Sequence, residues 1–557
     1  MKVDTFFTNF DLLTDAPNAT AKLRELILQL AVMGKLVRQD PNDEPASVLL
    51  DRIICKKQQL SYGNKIQKAD LNLSNEEELD LEILPGNWCW TNLETIGLIN
   101  PRNGLPDDLD VAFIPMNLIP QKYGNPLKYE TRKWGEVKKG FTHFAEGDVA
   151  IAKITPCFQN GKSCVMRGLK NQAGAGTTEL HIFRPINNLT YPEYVLIYFK
   201  SVSFIKNAIP IMTGTAGQKR VPNNYVAQNP FPLPPLAEQK RIVEKCDRLM
   251  SLCDEIEKQH KQKQDSIVRM NEGAIAQLLS SQNPDDFRHH WERICNNFDL
   301  LYSVPETIPK LRQAILQLAV MGKLVRQDPN DEPAANLIKK ICQKKSLIIH
   351  NRQSNQNSIT VNNPPYDLPK NWVWAYLDNI IISLTGGGTP SKLKQEFWDG
   401  NIPWASVKDL KSKYIETTID SITDLGLKNS STNLIKKGSI IICTRMALGK
   451  IAINTIDVAI NQDLKAIQLP EEIDKNYFYN FYMTQNIVGT GVTVTGIRQK
   501  ELLKLPVPLP PLAEQKRIVE KCDRLMSLCD RLEAKLKQGR ESREKLMEVA
   551  AKQVLLN

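Results

Sequence analysis

The amino-acid sequence predicts an α+β protein in which two globular α/β domains are joined by two long helices that form an antiparallel coiled coil. Three observations predict this fold class. The chain repeats its helical parts in the same order, a heptad pattern follows each of two proline-rich hinges, and the two inserts between the repeats differ in sequence. The arrangement is therefore an internal duplication with a pseudo-two-fold relation.

The duplication is visible in two pairs of segments. Residues 9–46 and 297–334 both begin with Asn-Phe-Asp-Leu-Leu and share a long run that ends in Arg-Gln-Asp-Pro-Asn-Asp-Glu-Pro-Ala. Residues 232–254 recur without change at residues 508–530. Nearly identical flanks around unlike inserts indicate one scaffold that presents two different heads.

The repeats divide the chain into six segments. Each copy has an opening helical segment with a linker, then a globular head, then a proline hinge that leads into a long spacer helix. The predicted bounds are 1–87 (first opening segment and linker), 88–232 (head one), 233–283 (hinge and first long helix), 284–371 (second opening segment and linker), 372–508 (head two) and 509–557 (hinge and second long helix).

The opening segments and the heads show different periodicities. Apolar residues recur at helical spacing over 20–36, and the twin segment 311–324 behaves alike. In the heads, short apolar runs that begin at a glycine predict buried strands, and aromatic-rich stretches predict helices. The predicted strands are 147–154, 179–184, 438–445 and 464–469, and the predicted helices are 191–209 and 476–488.

The segments after the two hinges carry apolar residues at alternating steps of four and three, which is the pattern of a coiled coil. Two interpretations remain open: the long helices pair with each other, or each covers its own core. Since the copies are related by a two-fold axis across their length, paired helices would run antiparallel. The pattern continues through Met270 and Leu546, with a polar break before each. The predicted packing positions are Ile242, Cys246, Leu249, Cys253 and Ile256 in the first helix, and Ile518, Cys522, Leu525, Cys529 and Leu532 in the second.

Composition narrows the class of protein. The 557 residues carry a net charge of +10, which is compatible with a polyanionic partner. No apolar stretch approaches the length of a membrane span, and no secretory signal opens the chain, so we expect no membrane partner and a cytoplasmic location. The eleven cysteines and six histidines form no zinc-binding spacing, and we expect no metal site.

Several motifs resemble those of specificity subunits of type I restriction–modification systems. They are the openings LPGNWCW and LPKNWVW, the segments GDVAIAKITPC and TTELHIFRP, the glycine-rich GGGTPSK, and the hinge PLPPLAEQKRIV, which occurs twice. The resemblance covers essentially the whole chain. The duplicated opening segment is similar to the branch of the family that repeats its N-terminal segment before the second head.

The resemblance implies a function and a set of partners. Each head would be a target recognition domain that reads one half of an asymmetric, bipartite double-stranded DNA target. The helical frame would dock modification (methyltransferase) subunits, two of them, and restriction subunits that cut and translocate. The resemblance also implies that this chain is non-catalytic and binds no cofactor, with S-adenosylmethionine, ATP and Mg²⁺ on the partner subunits.

Cations and amides in loops are the candidates for DNA contact, because phosphates attract cations and base edges are read by Arg, Lys, Asn or Gln. The loops 214–220 and 495–500 occupy similar places before the two hinges and combine glycine with positive charge. A solvated turn is the alternative interpretation for each loop. The candidate DNA-binding residues are Lys153, Asn160, Lys162, Gln218, Lys219, Arg220, Arg445, Lys450, Arg498, Gln499 and Lys500.

Two other functions have some support in the sequence. Asn363-Pro-Pro-Tyr366 matches the motif with which amino-methyltransferases hold a flipped adenine, so the chain could be a self-contained adenine-N6 DNA methyltransferase. Gly386-Gly-Gly388 would then have to supply the S-adenosylmethionine loop, although Pro390 opposes the helix that should follow. A coiled-coil adaptor without DNA contact is the third candidate. No catalytic set of residues is predicted.

The length of the long helices suggests what the frame does. A helix of about 40 residues is about 60 Å long, and one turn of DNA is about 34 Å. The helix pair could therefore act as a ruler that fixes the gap between the two half-sites.

Overall fold

The computed structural model describes residues 14–60, 83–187, 189–348, 361–489 and 496–556. The chain forms two compact units, Met1–Lys263 with Gly539–Asn557, and Gln264–Gln538. Residues 61–82 and 349–360, which fall within the two predicted segments that end in a linker (1–87 and 284–371), lie outside the described residues, and the bounds of the six predicted segments stay predictions.

Unit one contains the first opening segment, head one, the first part of the first long helix and the last part of the second. Its sheets have the strand orders β2-β9-β6-β7 and β4-β3-β8-β5, with a separate β1-β10 pair. The elements are α1 (Ala19–Val32), α2 (Ala46–Leu60), β1 (Cys89–Thr91), α3 (Leu93–Ile96), β2 (Gly97–Ile99), β3 (Asp110–Ile114), β4 (Glu130–Lys133), α4 (Trp134–Val137), β5 (Thr142–Ala145), β6 (Val149–Ala152), β7 (Ser163–Val165), β8 (Ala173–Gly176), β9 (Leu180–Pro185), α5 (Pro192–Lys200), α6 (Val202–Ala208), α7 (Asn223–Gln228), β10 (Phe231–Leu233) and α8 (Leu236–Leu279).

Unit two contains the second opening segment, head two, the last part of α8 and the first part of the second long helix. Its sheets have the orders β12-β20-β17-β18-β14 and β15-β13-β19-β16, with a separate β11-β21 pair. The elements are α9 (Pro284–Asn296), α10 (Phe298–Leu301), α11 (Ile308–Val320), α12 (Ala334–Ile348), β11 (Val373–Tyr376), α13 (Leu377–Ile380), β12 (Ser383–Gly386), β13 (Trp398–Ala405), β14 (Tyr414–Ile415), β15 (Asp420–Ile422), α14 (Asp424–Lys428), β16 (Asn433–Ile435), β17 (Ile440–Cys443), β18 (Ile451–Asn454), β19 (Val458–Ile460), β20 (Leu464–Gln468), α15 (Lys475–Tyr482), α16 (Gln499–Leu503), β21 (Pro506–Leu509) and α17 (Leu512–Leu556).

The predicted strands of the heads are confirmed. β6 and β17 are buried along their whole length, and each pairs antiparallel with the predicted strand that follows it, β9 or β20. The predicted helices are shorter than expected. The segment 191–209 breaks at Ser201, whose side chain accepts a hydrogen bond from the Phe204 amide and so begins a second helix. In head two, α15 ends at Tyr482.

Each head is closed by pairing its two ends. β1 pairs with β10, so that Trp90 lies opposite Pro232, and β11 pairs with β21, so that Trp374 lies opposite Pro508. The tryptophan motif that opens each head and the proline motif that ends it are therefore one two-stranded ribbon. This ribbon returns the chain to the frame at the place where it left.

The two opening helices end in the same way. Gly34 after α1 and Gly322 after α11 both have a φ of 69°, the left-handed region that favours glycine. A Cβ at either position would lie 2.4 Å from a proline ring, that of Pro85 or Pro369. Both backbone geometry and contact with the tryptophan motif thus require glycine here.

The frame repeats its polar contacts as well as its sequence. Gln39 donates to Glu238 over 2.7 Å, and Gln327 donates to Glu514 over the same distance. The same duplication relates the ion pairs Arg241–Asp43 and Arg517–Asp331, and those of Arg24 with Asp254 and Arg312 with Asp530. The opening segments are fixed to the long helices by equivalent charges in both units.

The two long helices α8 and α17 share a hydrophobic cluster in each unit. In unit one, Ile242 and Cys246 of α8 belong to the same cluster as Met547 of α17. In unit two, Cys522 of α17 belongs to the same cluster as Leu278 of α8. Each unit combines the first part of one helix with the last part of the other, as an antiparallel pair requires. The clusters also include α1 and α11, so the helices cover a core as well as each other. All ten predicted packing positions are buried or half-buried.

The heptad prediction is wrong in register at one place in each helix. Met270 and Leu546 are 46% and 43% exposed, whereas the next residues, Asn271 and Met547, are fully buried. Asn271 is turned inward because its side-chain amide donates to the Leu301 carbonyl of α10. In α8, the packing after the polar break therefore follows this contact with the opening segment and not the alternating steps of four and three.

Candidate nucleic-acid interface

In head one, a cleft of about 420 Å³ opens at the edge of the sheet where β2 and β6 end and β9 begins. Five separate segments line it: the chain after β2, the turn before β5, the end of β6, the start of β9 and the N-terminus of α7. Its polar and charged lining includes Asn100, Arg102, His143, Lys153, Thr178, His181 and Asn223.

Asn100 and the two histidines form the floor of this cleft. Asn100 has a φ of 50°, and its side chain accepts from the Ile182 amide and donates to Asn223 Oδ1 over 2.7 Å. His181 Nε2 donates to the Val221 carbonyl, and His143 Nε2 donates to the Lys138 carbonyl. Burial lowers the pKa of both rings. The histidines are therefore neutral floor residues and not charged ligands.

Lys153 stands on one wall of the cleft and has a fixed backbone. Its amide donates to the Glu179 carbonyl over 2.9 Å, and its carbonyl accepts from the Val221 amide over 2.8 Å. The side chain is half-buried, and no hydrogen bond or ion pair of its ammonium group is found among the residues that the structure describes.

The predicted loop 214–220 lies beside Lys153. Thr155 holds it in place, because its amide donates to the Lys219 carbonyl and its hydroxyl accepts from the Lys219 amide. Gln218 and Lys219 are exposed. Arg220 is different: its guanidinium group donates to both carboxylate oxygens of Glu179 over 2.9 and 3.0 Å. Its charge is already paired within the head.

Lys162, another predicted contact, is not brought to the cleft. Its ammonium donates to the Met116 carbonyl over 2.8 Å. The neighbouring Lys200, which sequence reasoning missed, is almost fully buried and donates to the carbonyls of Gln121 and Gly161 over 2.8 and 2.7 Å. These two lysines fasten the turn after β6 to the chain after β3, while Asn160 remains exposed within that turn.

The buried Lys200 gives head one a pH-dependent stability. Burial lowers the pKa of its ammonium group from 10.5 to about 7. Between these values the unfolded chain holds a proton that the folded chain does not, so this group makes stability rise with pH from about 7 to about 10. Lys200→Met should remove that rise, which amounts to about 4 kcal/mol at most. Urea unfolding of both proteins at pH 7 and pH 10 measures it.

The exposed Lys206 on α6 provides the control for this prediction. Lys206→Met should keep the wild-type change of stability with pH. If Lys200→Met and the wild type gain the same free energy of unfolding between pH 7 and pH 10, Lys200 is charged throughout this range.

Head two brings its predicted residues together at the equivalent end of its sheet. Arg445, which lies shortly after β17, forms a backbone β-bridge with Gly496. Its guanidinium nitrogen Nη1 lies 3.7 Å from Oδ1 of Asp463. Lys465 donates to Gln499 over 3.2 Å. The side chains of Lys450, Arg498 and Lys500 are exposed. Thr495, the first residue of the predicted loop, lies outside the described residues.

The two loops before the hinges are not equivalent residue by residue. Arg220 bridges to the residue after Lys153, and Gly496 bridges to the residue after Thr444. Lys219 therefore precedes this bridge, whereas Arg498 and Lys500 follow it. The two heads share a backbone plan but place their cations differently.

The residues of the methyltransferase hypothesis have structural partners. The Tyr366 hydroxyl donates to the Val320 carbonyl over 3.0 Å, and its ring packs edge-on against Trp374, so it is not free to stack on a base. The Gly388 amide donates to the Ile460 carbonyl, and a Cβ on Gly387 would lie 2.1 Å from that oxygen. The glycines allow close packing of backbone on backbone.

Neither a metal site nor a membrane-spanning helix occurs in the described ranges. No group of three or more metal-ligating side chains occurs there that could hold an ion. None of the helices within them combines the length and the apolar composition needed to cross a membrane.

Two unlike heads with cationic loops on one duplicated frame define a two-headed DNA-binding protein. Residues 103–264 and 369–539 match the family described as "Type I restriction modification DNA specificity domain". The chain belongs to this family of DNA specificity subunits, the non-catalytic components of type I restriction–modification systems. Membership of the branch with a repeated N-terminal segment stays a prediction.

Relatives match over nearly the whole chain. The specificity subunit of the type I restriction enzyme EcoAI from Escherichia coli is 39% identical over 94% of this chain and 91% of its own length. That of EcoEI, also from Escherichia coli, is 36% identical over the same shares. The crystal structure of the HsdS subunit from Thermoanaerobacter tengcongensis is 18% identical, covers 85% of this chain and 97% of that chain, and has a TM-score of 0.43.

Sequence reasoning missed Asn100, Arg102, His181 and Asn223 in head one. The Asn-Pro-Arg-Asn run after β2 has the polar, turn-forming composition of a site loop. His181 and Asn223 gave no such signal, because one lies inside an apolar strand and the other begins a short helix.

Proposed function

We propose that each head reads one half of an asymmetric, bipartite DNA duplex, and that the helical frame holds the heads at a fixed separation. The observation that carries this proposal is the contrast between frame and heads. The polar contacts of the frame recur at equivalent residues, whereas the loops at equivalent strand ends carry different cations. One scaffold with two unlike contact surfaces suits a target with two unlike parts.

We further propose that the frame docks two modification subunits and, through that core, restriction subunits. The support is a row of exposed residues that is identical on both long helices. Lys245, Arg248 and Leu252 lie along one face of α8, and Lys521, Arg524 and Leu528 repeat them on α17. Identical exposed surfaces suit two copies of one partner. S-adenosylmethionine, ATP and Mg²⁺ would then belong to those partners.

The proposal is tested by DNA binding of the full chain assembled with its modification partners. Mapping methylated adenines in host DNA would give the bipartite site for the duplex. Each phosphate neutralised by a cation contributes about 0.9 to the slope of log affinity against log salt. Lys219→Ala should therefore reduce this slope by about 0.9, because Lys219 is exposed. The slope is measured by fluorescence anisotropy at salt concentrations from about 50 to about 200 mM.

Lys206→Ala, on the exposed face of α6, is the matched control and should leave the slope unchanged. A wild-type complex that binds the bipartite duplex no better than a scrambled duplex would contradict the proposed function. An unchanged slope in Lys219→Ala would remove only the loop 214–220 from the interface.

A further inference from the structure

We propose that the cleft of head one is an anion site that clamps a single phosphodiester of the DNA backbone, with Lys153 and Arg102 as its cations. This inference rests on the proposed function, and it names the chemical group that the cleft binds. It assigns the cleft to positioning the duplex through its backbone, which leaves the reading of base edges to other residues of the head.

The charge of the lining is the first argument. Arg102 and Lys153 contribute positive charge, and none of the residues that line the cleft is acidic. Glu179, whose carbonyl accepts from the Lys153 amide, has its carboxylate occupied by Arg220. The two cations also act on the histidines at the floor of the cleft. Burial is the main cause of the lowered pKa of each ring, and the positive charge of Arg102 lowers the pKa of His143 further, as that of Lys153 does for His181.

The free donors are the second argument. Arg102 uses one guanidinium nitrogen to donate to the Phe141 carbonyl, which holds the side chain over the cleft, and no carboxylate partner of Arg102 occurs in the described part of the chain. Asn223 accepts through Oδ1 and so keeps its amide nitrogen for a ligand. Phosphate oxygens only accept hydrogen bonds from such donors, and a ligand with donor groups of its own would find few acceptors here.

Shape and rigidity are the third argument. A concave site suits the ridge of the DNA backbone better than the floor of a groove, which a protein must enter with a protruding element. The backbone of Lys153 is hydrogen-bonded on both sides within the sheet. A cation that is rooted in this way loses less conformational freedom on binding than one in an exposed loop, and it fixes where the phosphate lies.

Head two has no cation at the position equivalent to Lys153. Thr444 occupies the place of Lys153: its amide donates to the Asp463 carbonyl, and its carbonyl accepts from the Ile497 amide. The side chain of Thr444 is buried and donates to the Asp463 carbonyl. The same backbone position thus tolerates threonine, which provides a matched variant that is compatible with the fold.

The test compares the wild type with Lys153→Thr in the full chain assembled with its modification partners. Duplexes carry one neutral methylphosphonate at each successive position of the bipartite site. The wild type should lose about 10- to 150-fold in affinity at one phosphate of the half-site read by head one, since a hydrogen bond to a charged group is lost. Lys153→Thr should bind the unmodified duplex more weakly than the wild type and show a smaller further loss at that phosphate, because only the contact of Arg102 remains there.

Lys153→Thr should also reduce the salt slope by about 0.9 and keep the same sequence preference. Methylphosphonates in the other half-site should weaken the variant and the wild type alike, which shows that the variant is folded. Arg102→Ala should likewise reduce the loss at the same phosphate, and the double variant with Lys153→Thr should abolish it.

Two results would overturn the clamp while leaving the proposed function intact. One is a base preference of Lys153→Thr that differs from that of the wild type, measured with 7-deazaguanine or other base analogues. That result would mean that Lys153 reads a base. The other is unaltered DNA binding by Lys153→Thr together with binding of inorganic phosphate to the wild-type cleft, which would make it a site for a free anion. Failure of the wild type to prefer the bipartite duplex would instead contradict the proposed function.

Discussion

Inserting four residues after Ile256 in α8 and four after Leu532 in α17 is expected to change the spacer between the two halves of the DNA site. The two positions are equivalent in the duplication, so paired insertions keep the antiparallel helices level. Four residues add about 6 Å of helix, close to two base-pair steps. Affinity for the original site should fall at least about 100-fold, because one half-site is lost, while a duplex with a longer spacer is bound.

Selection from duplexes with spacers of every length measures this effect. Four residues inserted at Gly124 serve as the control, since this exposed glycine of head one has open space around it. That variant should keep the original spacer. Retention of the original spacer and sequence by the doubly extended helices would show that the helices do not set the distance.

Replacing Tyr477 or Tyr194 by alanine is expected to cost about 3–5 kcal/mol of the free energy of unfolding in the unit concerned. The two tyrosines are equivalent clasps. Tyr477 donates to the Pro508 carbonyl over 2.6 Å, and Tyr194 donates to the Pro232 carbonyl over 2.9 Å. Both rings are fully buried and pack edge-on against the tryptophan of the opening motif, Trp372 or Trp88. Each clasp joins a helix of the head to the hinge ribbon.

Tyrosine-to-phenylalanine variants separate the ring from the hydroxyl. They keep the packing and should lose only about 1–3 kcal/mol, the cost of one buried carbonyl without a partner. Urea unfolding followed by circular dichroism measures the free energies, and limited proteolysis identifies the head that opens. If the free energy of unfolding of Tyr477→Ala lies within about 1 kcal/mol of the wild-type value, the hydrophobic cluster around the hinge does not depend on this ring.

The sequence predicted the frame well because its signals are local. Heptad spacing, the glycines that end α1 and α11, and the exact repetition of the hinge each lie within a few turns of chain. The register failed at Met270 because the neighbouring Asn271 forms a hydrogen bond with Leu301, thirty residues further along the chain. A tertiary contact overrode a local pattern there.

The candidate contact residues could be predicted only in part. Lys219, Arg498 and Lys500 are exposed as expected, but Arg220 is paired with Glu179, and Lys162 is bound to the Met116 carbonyl. A sequence shows that a cation is present and not whether a distant carboxylate or carbonyl already uses it. The function of each of these residues stays a prediction.

The sequence by itself determined the duplication, the order of helices and strands, and the presence of two unlike heads, because each follows from residues that are neighbours in the chain or copies of one another. Only the tertiary structure decided which cations are free and where they meet. The cleft of head one is built by segments that lie far apart in the chain. Asn100 and Asn223, for example, are 123 residues apart, yet their side chains form a hydrogen bond of 2.7 Å. Their meeting depends on the order and register of strands, and no local pattern encodes it.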